Sequence, residues 1–159
     1  MEQLGYQSES AVWRNFYLSG AMELRNGVRR DAVLHQAGGD VVRTLSLDTF
    51  FDLLAVRVDG PRADGKRIAV NWVFSGPEEQ YAVTLENGVL NHRRGRLHAD
   101  PDATVYLSRE VFDAIATKQA TFLGRILAGD IRIEGGTMNF LEMMSCLEEL
   151  DPRFNIVTP

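Results

Sequence analysis

The chain has 159 residues, which suits one compact domain with a short appendage, and its 45% apolar and 25% charged residues are typical of globular proteins. A formal net charge of −5 argues against a nucleic-acid partner, because phosphate backbones favour basic surfaces. No apolar stretch approaches the roughly 20 residues of a transmembrane segment, and the N-terminus lacks the pattern of a signal peptide.

The first predicted element is a helix over about Glu9–Arg25, with Ser8 or Ser10 as a possible N-cap and Asn26-Gly27 as its end. Its apolar residues recur at helical spacing: Trp13, Phe16, Tyr17, Gly20, Ala21 and Leu24. So short an appendage offers this stripe no evident cover, which favours self-association. Residues Val28–Asp40 are polar and contain glycines, as expected of a linker.

A second helix is predicted to start at the N-cap Ser46 and to end before a turn at Asp59–Pro61. The period then changes to two, as in a strand. Alternation in the segment Lys66–Phe74 places four apolar residues on one face: Ile68, Val70, Trp72 and Phe74. Asn87-Gly88 predicts a hairpin between two further strands, Tyr81–Leu85 and Val89–Arg93.

The C-terminal part continues with a fourth strand, Ala103–Leu107, which leads into a helix capped by Ser108. The remaining predicted elements are a short helix near Phe122–Leu127, a strand containing Ile131 and Ile133 before Gly135-Gly136, and a last helix over Thr137–Leu150. This order predicts an α+β fold: a sheet of about five mostly antiparallel strands, covered by helices on one face.

Candidate catalytic and metal-binding residues are sparse. His35, His92 and His98 form no HxH, HxxxH or HExxH pattern, although a ligand set assembled in space stays an alternative. Cys146 is the lone cysteine, and its neighbours indicate a buried hydrophobe. With no GxSxG or phosphate-binding loop, we predict no catalytic residue, metal ligand or cofactor in this chain. An enzyme with an unrecognised site is the remaining alternative.

Two surfaces suggest binding. Residues 92–98 (HRRGRLH) are cationic, which is typical of a solvated strand end and alternatively of a positive rim for an anionic head group or an acidic partner. The last helix is rich in methionine, whose flexible side chain adapts to variable ligands, although such residues usually form core. The predicted pocket walls are Trp72, Phe74, Phe140, Met143 and Met144.

Two segments resemble the sterol carrier domain. Residues 103–115 (ATVYLSREVFDAI) match its strand and capped helix, and residues 127–136 (LAGDIRIEGG) match its glycine-bounded strand. Residues 13–21 (WRNFYLSGA) and 23–25 (ELR) resemble the end of the dimerisation region of bacterial alkyl sulfatases, zinc enzymes of the metallo-β-lactamase superfamily. Residues 46–61 (SLDTFFDLLAVRVDGP) resemble the opening of their C-terminal, sterol-carrier-like domain.

The resemblance implies that residues 1–39 end a dimerisation region and residues 40–159 form a sterol-carrier-like domain. It implies a homodimer, and a metallo-β-lactamase-like catalytic domain as partner. The zinc would belong to that domain, since its HxHxDH ligand pattern does not occur here. The expected function is non-catalytic binding of the hydrophobic tail of alkyl sulfates or other long-chain amphiphiles. A structural or dimerisation module and a stand-alone lipid carrier are the alternatives.

Overall fold

A computed structural model describes residues 1–28, 43–76, 78–148, 155 and 157. These residues form two compact units, the first holding 1–28 with 155 and 157, the second holding 43–148. The predicted linker, Val28–Asp40, lies outside the described residues except for Val28. The boundary at residue 39 therefore stays a prediction.

The described helices are α1 (Glu2–Gln7), α2 (Ala11–Asn26), α3 (Leu47–Val56), α4 (Gly60–Ala63), α5 (Arg109–Ala116), α6 (Phe122–Leu127) and α7 (Thr137–Ser145). The strands are β1 (Arg67–Ser75), β2 (Glu79–Glu86), β3 (Val89–Arg94), β4 (Ala103–Ser108) and β5 (Arg132–Gly135). The strands form one sheet in the order β3-β2-β1-β4-β5, in which only β1 and β4 run parallel. The predicted α+β class and mostly antiparallel five-stranded sheet are confirmed.

The first unit is a pair of helices where the sequence predicted one. The helix α1 was missed because its six residues are too few to show a helical period. Gly5 permits a close approach of the two helices, since a Cβ atom there would lie 2.9 Å from Leu18 Cδ2. On α2, Trp13 and Phe16 are 62% and 59% exposed, so this unit leaves two large aromatic side chains uncovered.

The inner face of the sheet forms the core of the second unit. As predicted, alternate residues of β1 are buried there: Ile68, Val70, Trp72 and Phe74. Tyr81, Val83 and Leu85 of β2 are buried beside them. Asn87 and Gly88 have φ of 55° and 73°, the conformation that a tight hairpin turn requires, which confirms the predicted hairpin.

The chain crosses the outer face of the sheet between β3 and β4, which makes β1 and β4 parallel. Asn71 holds this crossover from the middle of β1. Its Nδ2 donates to the carbonyl of His98 at 3.0 Å, and its Oδ1 accepts from the His98 amide at 2.9 Å. Asn71 can be buried despite its polarity, because both the nitrogen and the oxygen of its side-chain amide are hydrogen-bonded.

Asp102 ends the crossover and joins three elements. Its carboxylate accepts from the amide of Ala69 at 2.7 Å, and its own amide donates to the Ala69 carbonyl at 2.8 Å. Its carbonyl accepts from the amide of Gly136 at 2.7 Å. Gly135 has a φ of 88°, and a Cβ there would lie 2.8 Å from the Asp102 carbonyl oxygen, so only glycine fits. This explains the glycine pair after β5.

Two predicted boundaries are wrong. The turn at Asp59–Pro61 is a short helix, α4, because Asp59 caps it by accepting from the Arg62 amide at 3.2 Å and proline is tolerated in a first helical turn. The last helix ends at Ser145 instead of Leu150. Leu147 pairs with Val58 in a β-bridge, which draws the chain out of helical geometry.

We expect Asn71→Ala to lower the free energy of unfolding by about 2 kcal/mol, because it leaves the backbone amide and carbonyl of the half-buried His98 in the crossover without these partners. Urea titration followed by circular dichroism measures this. The control is Asn91→Ala, a truncation of an exposed asparagine on the outer face, with an expected effect within about 0.5 kcal/mol. Equal effects of the two substitutions would contradict the assigned role of Asn71.

Candidate functional site

An apolar hollow of about 460 Å³ opens between the helices of the second unit. Its volume lies within the range of about 300–1,000 Å³ that is typical of small-molecule sites. The helices α3, α5 and α6, the last turn of α7 and the segment that follows it surround the hollow, and Trp72 of β1 contributes to its floor. The lining residues are Leu45, Phe50, Leu53, Leu54, Arg57, Trp72, Phe112, Ile115, Ala116, Lys118, Ala120, Thr121, Phe122, Met144 and Leu147.

Both ends of α3, one wall of the hollow, are fixed by polar contacts. At its start, the Ser46 hydroxyl accepts from the Thr49 amide at 3.1 Å, which confirms the predicted N-cap. Tyr81 of the sheet donates its phenolic hydrogen to Asp48 in the first turn at 3.0 Å. At the other end, the Arg57 Nε donates to the carbonyl of Glu148 at 2.7 Å, and the Glu148 amide donates to the Arg57 carbonyl at 2.8 Å.

The opposite wall, α5, is fixed in a similar way. The Ser108 hydroxyl accepts from the Val111 amide at 3.1 Å, so this predicted N-cap is also confirmed. Arg109 pairs with Asp113 one turn on, at 2.7 Å, and donates to the carbonyl of Leu45 just before α3 at 2.6 Å. These polar contacts, together with the edge-to-face packing of Phe50 of α3 on Phe112 of α5 at a centroid distance of 4.5 Å, set the separation of the two walls.

The floor of the hollow is aromatic. The Trp72 ring meets Phe51, Phe112 and Phe140 edge to face, with centroids 5.7, 6.1 and 5.6 Å apart. Trp72 is 3% exposed, and its Nε1–H has no hydrogen-bond partner in the described part of the chain. Its position in the hollow makes Trp72 a natural fluorescent reporter, since the only other tryptophan is Trp13 in the first unit.

Of the five predicted wall residues, Trp72 and Met144 line the hollow. Phe74, Phe140 and Met143 are buried in the core and do not line it. The space between the sheet and α7 is occupied by Phe140 and Met143 themselves, so the hollow opens beside that interface. Contact of any of these residues with a ligand stays a prediction.

The sequence prediction missed the helical side of the hollow. Phe50, Phe112, Ile115 and Phe122 belong to apolar stripes that indicate core packing equally well, because periodicity shows which face is buried and not how closely two helices approach. The short loop after α5 was one sequence signal for this side of the hollow. Its residues 117–121 reverse the chain and bring Phe122 against Phe140, with ring centroids 4.9 Å apart.

The cationic run 92–98 is divided between the two faces of the sheet. His92 and Arg94 point to the inner side, where His92 Nε2 lies 3.8 Å from Asp48 Oδ1 and Arg94 pairs with Glu79 at 3.2 Å. Arg93 and Arg96 line a second, polar groove of about 530 Å³ on the outer side, bounded by the crossover. Strand alternation thus separates charges that look continuous in the sequence.

No group of three or more histidine, cysteine, aspartate or glutamate side chains in the described residues is placed to hold a metal ion. Cys146 is buried, as predicted, and its thiol faces the carbonyl of Glu142 at 3.4 Å. Within the same residues, no helix is both long enough and apolar enough to span a bilayer.

Comparison with known proteins gives a consistent result. Residues 35–159 match the family model "Alkyl sulfatase C-terminal", and residues 1–27 match "Alkyl sulfatase dimerisation". A linear primary-alkylsulfatase of Pseudomonas sp. is 46% identical over the whole chain, which spans 24% of the length of that relative.

Among solved structures, a stereoselective inverting sec-alkylsulfatase of Pseudomonas sp. has a TM-score of 0.80 at 41% identity, covering 96% of this chain and 24% of that one. A sterol carrier protein domain of Helicoverpa armigera has a TM-score of 0.51 at 14% identity, covering 61% of this chain and 81% of that domain, and it shares the fold alone. The resemblance predicted from residues 13–21, 23–25, 46–61, 103–115 and 127–136 is confirmed.

Tyr81 provides a pH-dependent test of the contact that holds α3. Burial, followed by the hydrogen bonds to Asp48 and Glu79, raises the pKa of Tyr81 above its ordinary value of 10.0. Because the pKa is higher in the folded state, the stabilisation is complete below pH 10.0 and declines as the pH rises above that value.

We expect Tyr81→Phe to lower the free energy of unfolding by about 1–2 kcal/mol at neutral pH, through loss of hydrogen bonds to charged groups. The difference in unfolding free energy between Tyr81→Phe and the unsubstituted chain should become smaller above pH 10.0. Tyrosine loses its proton, and with it this stabilisation, as the pH rises, whereas phenylalanine has no proton to lose. Urea unfolding across this pH range measures both quantities. A difference that stays constant with pH would contradict the proposed role of the Tyr81 hydroxyl.

Proposed function

We propose that this chain, which belongs to the alkyl sulfatase family, binds the hydrocarbon tail of alkyl sulfates or related long-chain amphiphiles in the apolar hollow. The observation that supports this most directly is the hollow itself, an open space of about 460 Å³ with a lining that is largely aliphatic and aromatic. In this proposal the chain recruits substrate for a separate catalytic domain, which would hold the zinc and cleave the ester.

The energetics favour delivery over storage. Burial of about ten methylenes contributes about 8 kcal/mol, and association costs at least about 4 kcal/mol. The remaining affinity is modest, in the millimolar range, since about 4 kcal/mol corresponds to a Kd near 1 mM. A stand-alone lipid carrier would need tighter binding than this. Millimolar affinity is sufficient for a region that only raises the local concentration of substrate beside a catalytic domain.

Dimerisation is a second function, carried by the first unit. Residues 1–27 match the family model for alkyl sulfatase dimerisation. Large apolar side chains of α1 and α2 are exposed within this unit: Leu4, Tyr6, Val12, Trp13, Phe16, Met22 and Leu24. So many exposed large apolar side chains on two short helices are typical of an interface between subunits. We propose that a second copy of the chain covers it.

The tail-binding proposal predicts a strong dependence on chain length. In a Trp13→Phe background, the fluorescence of Trp72 reports binding of octyl, decyl and dodecyl sulfate. Each added methylene should lower the Kd by up to about fourfold until the hollow is full, as expected from about 0.8 kcal/mol per methylene. A Kd independent of chain length would contradict tail binding.

Ala116 and Ala114 provide a matched pair of variants on α5. Ala116 lines the hollow and Ala114 does not, although both are half-buried. Ala116→Phe should fill the hollow and weaken decyl sulfate binding at least tenfold, whereas Ala114→Phe should leave the Kd within twofold. Equal effects of the two substitutions on the Kd would show that the tail binds outside the hollow.

For dimerisation, Phe16→Asp should convert the chain to a monomer, because the substitution places a charge in the proposed apolar interface. Asn15→Asp adds the same charge at a neighbouring exposed position and should leave the dimer intact. Sedimentation velocity distinguishes the two states. A monomeric unsubstituted chain at high micromolar concentration would contradict the proposal.

A further inference from the structure

The rim of the hollow is positively charged. Arg57 and Lys118 both line it, and the described lining contains no carboxylate, in a chain whose formal net charge is −5. Lys118 is exposed and Arg57 half-buried, whereas the floor residues Leu54, Trp72 and Phe112 are buried. The two cations are therefore more accessible to solvent than the floor of the hollow, as the binding groups for the head of a bound amphiphile must be.

Arg57 is held in position without a charged partner. Its Nε donates to the backbone carbonyl of Glu148 at 2.7 Å, which orients the guanidinium group. In the described part of the chain, neither Arg57 nor Lys118 forms an ion pair with a carboxylate. Arg109 and Arg125 differ, since they pair with Asp113 and Asp130 at 2.7 and 2.8 Å.

Lys118 occupies a strained backbone position. It follows the C-cap Thr117 of α5 and has a φ of 58°, in the left-handed region where helix ends usually carry glycine or asparagine. A long charged side chain is unfavourable there for local structure. Strain retained at a rim residue is consistent with a role for its ammonium group in binding.

We infer that Arg57 and Lys118 bind the anionic head group of an amphiphile whose tail occupies the hollow. This inference rests on the proposed tail binding and adds the chemistry of the head: an anionic oxygen group such as a sulfate ester or a carboxylate. Guanidinium and ammonium groups both donate strong hydrogen bonds to such oxygens. The site thereby recognises the whole anionic amphiphile and not its tail alone.

This recognition would distinguish substrate from product. Hydrolysis of an alkyl sulfate by water gives the alcohol and hydrogen sulfate, so the tail keeps its length and loses its charge. The alcohol would no longer interact electrostatically with Arg57 and Lys118. The site would therefore release the product more readily than it releases a substrate of equal chain length.

The test compares decyl sulfate, decanoate and decanol by Trp72 fluorescence in the full Trp13→Phe chain. Arg57→Gln together with Lys118→Gln should weaken binding of both anions about tenfold, because each cation contributes about 0.7 kcal/mol. Decanol binding should stay within twofold, because the hydrogen bond from the Glu148 amide to the Arg57 carbonyl still holds the end of α3. The control, Arg93→Gln with Arg96→Gln, makes the same change in net charge on the outer face of the sheet. It should have no effect on any of the three ligands.

Lys118→Gly is a second variant that should keep the fold, because glycine adopts the left-handed backbone conformation of this position without strain. It should leave the melting temperature unchanged or higher while weakening decyl sulfate binding about threefold. Equal affinity of all variants for decyl sulfate, or an effect confined to the Arg93 and Arg96 variant, would overturn the inference and leave tail binding in place. Failure of all three ligands to bind the Trp13→Phe chain without further substitutions would overturn the proposed function itself.

Discussion

The hollow depends on polar contacts that fix the ends of the surrounding helices. Tyr81 holds the start of α3, the backbone hydrogen bond between Glu148 and Arg57 holds its end, and Arg109 links α5 to the segment before α3. Helices that pack only through apolar side chains tend to approach until the space between them is filled. Helices fixed at their ends can keep an apolar gap, and here the gap lies directly over Trp72.

The sheet determines where this gap opens. Its inner face is almost entirely apolar along β1 and β2, and α7 covers only part of it through Phe140 and Met143. The outer face carries the crossover, which Asn71 and Asp102 hold in place. The two faces thus differ in chemistry: one forms a core with an opening, and the other a polar groove with two arginines.

Much of this fold could be predicted from the sequence, because its signals are local. The alternation from Ile68 to Phe74, the caps Ser46 and Ser108, and the turn at Asn87-Gly88 each specify one element. The crossover and the parallel pairing of β1 with β4 depend on contacts between distant residues, such as Asn71 with His98. The only local signal for them is a polar residue in the middle of an apolar strand.

The candidate site was harder to predict for a related reason. Trp72 and Met144 were expected at a pocket and line the hollow, whereas Phe140 and Met143 are part of the core. Sequence periodicity identifies buried residues and does not distinguish a filled interface from an open one. Arg57 and Lys118 gave no signal, since a single cation at the end of a helix is common on any surface.

The most direct test of tail binding in the hollow is an NMR measurement of intermolecular nuclear Overhauser effects between bound decyl sulfate and the chain. Tail binding in the hollow predicts contacts from the terminal methyl group to the rings of Trp72 and Phe112, and contacts from the methylene beside the sulfate to Lys118. Terminal-methyl contacts confined to Trp13 and Phe16 of α2 would show that the amphiphile binds the exposed apolar surface of the first unit and would contradict it.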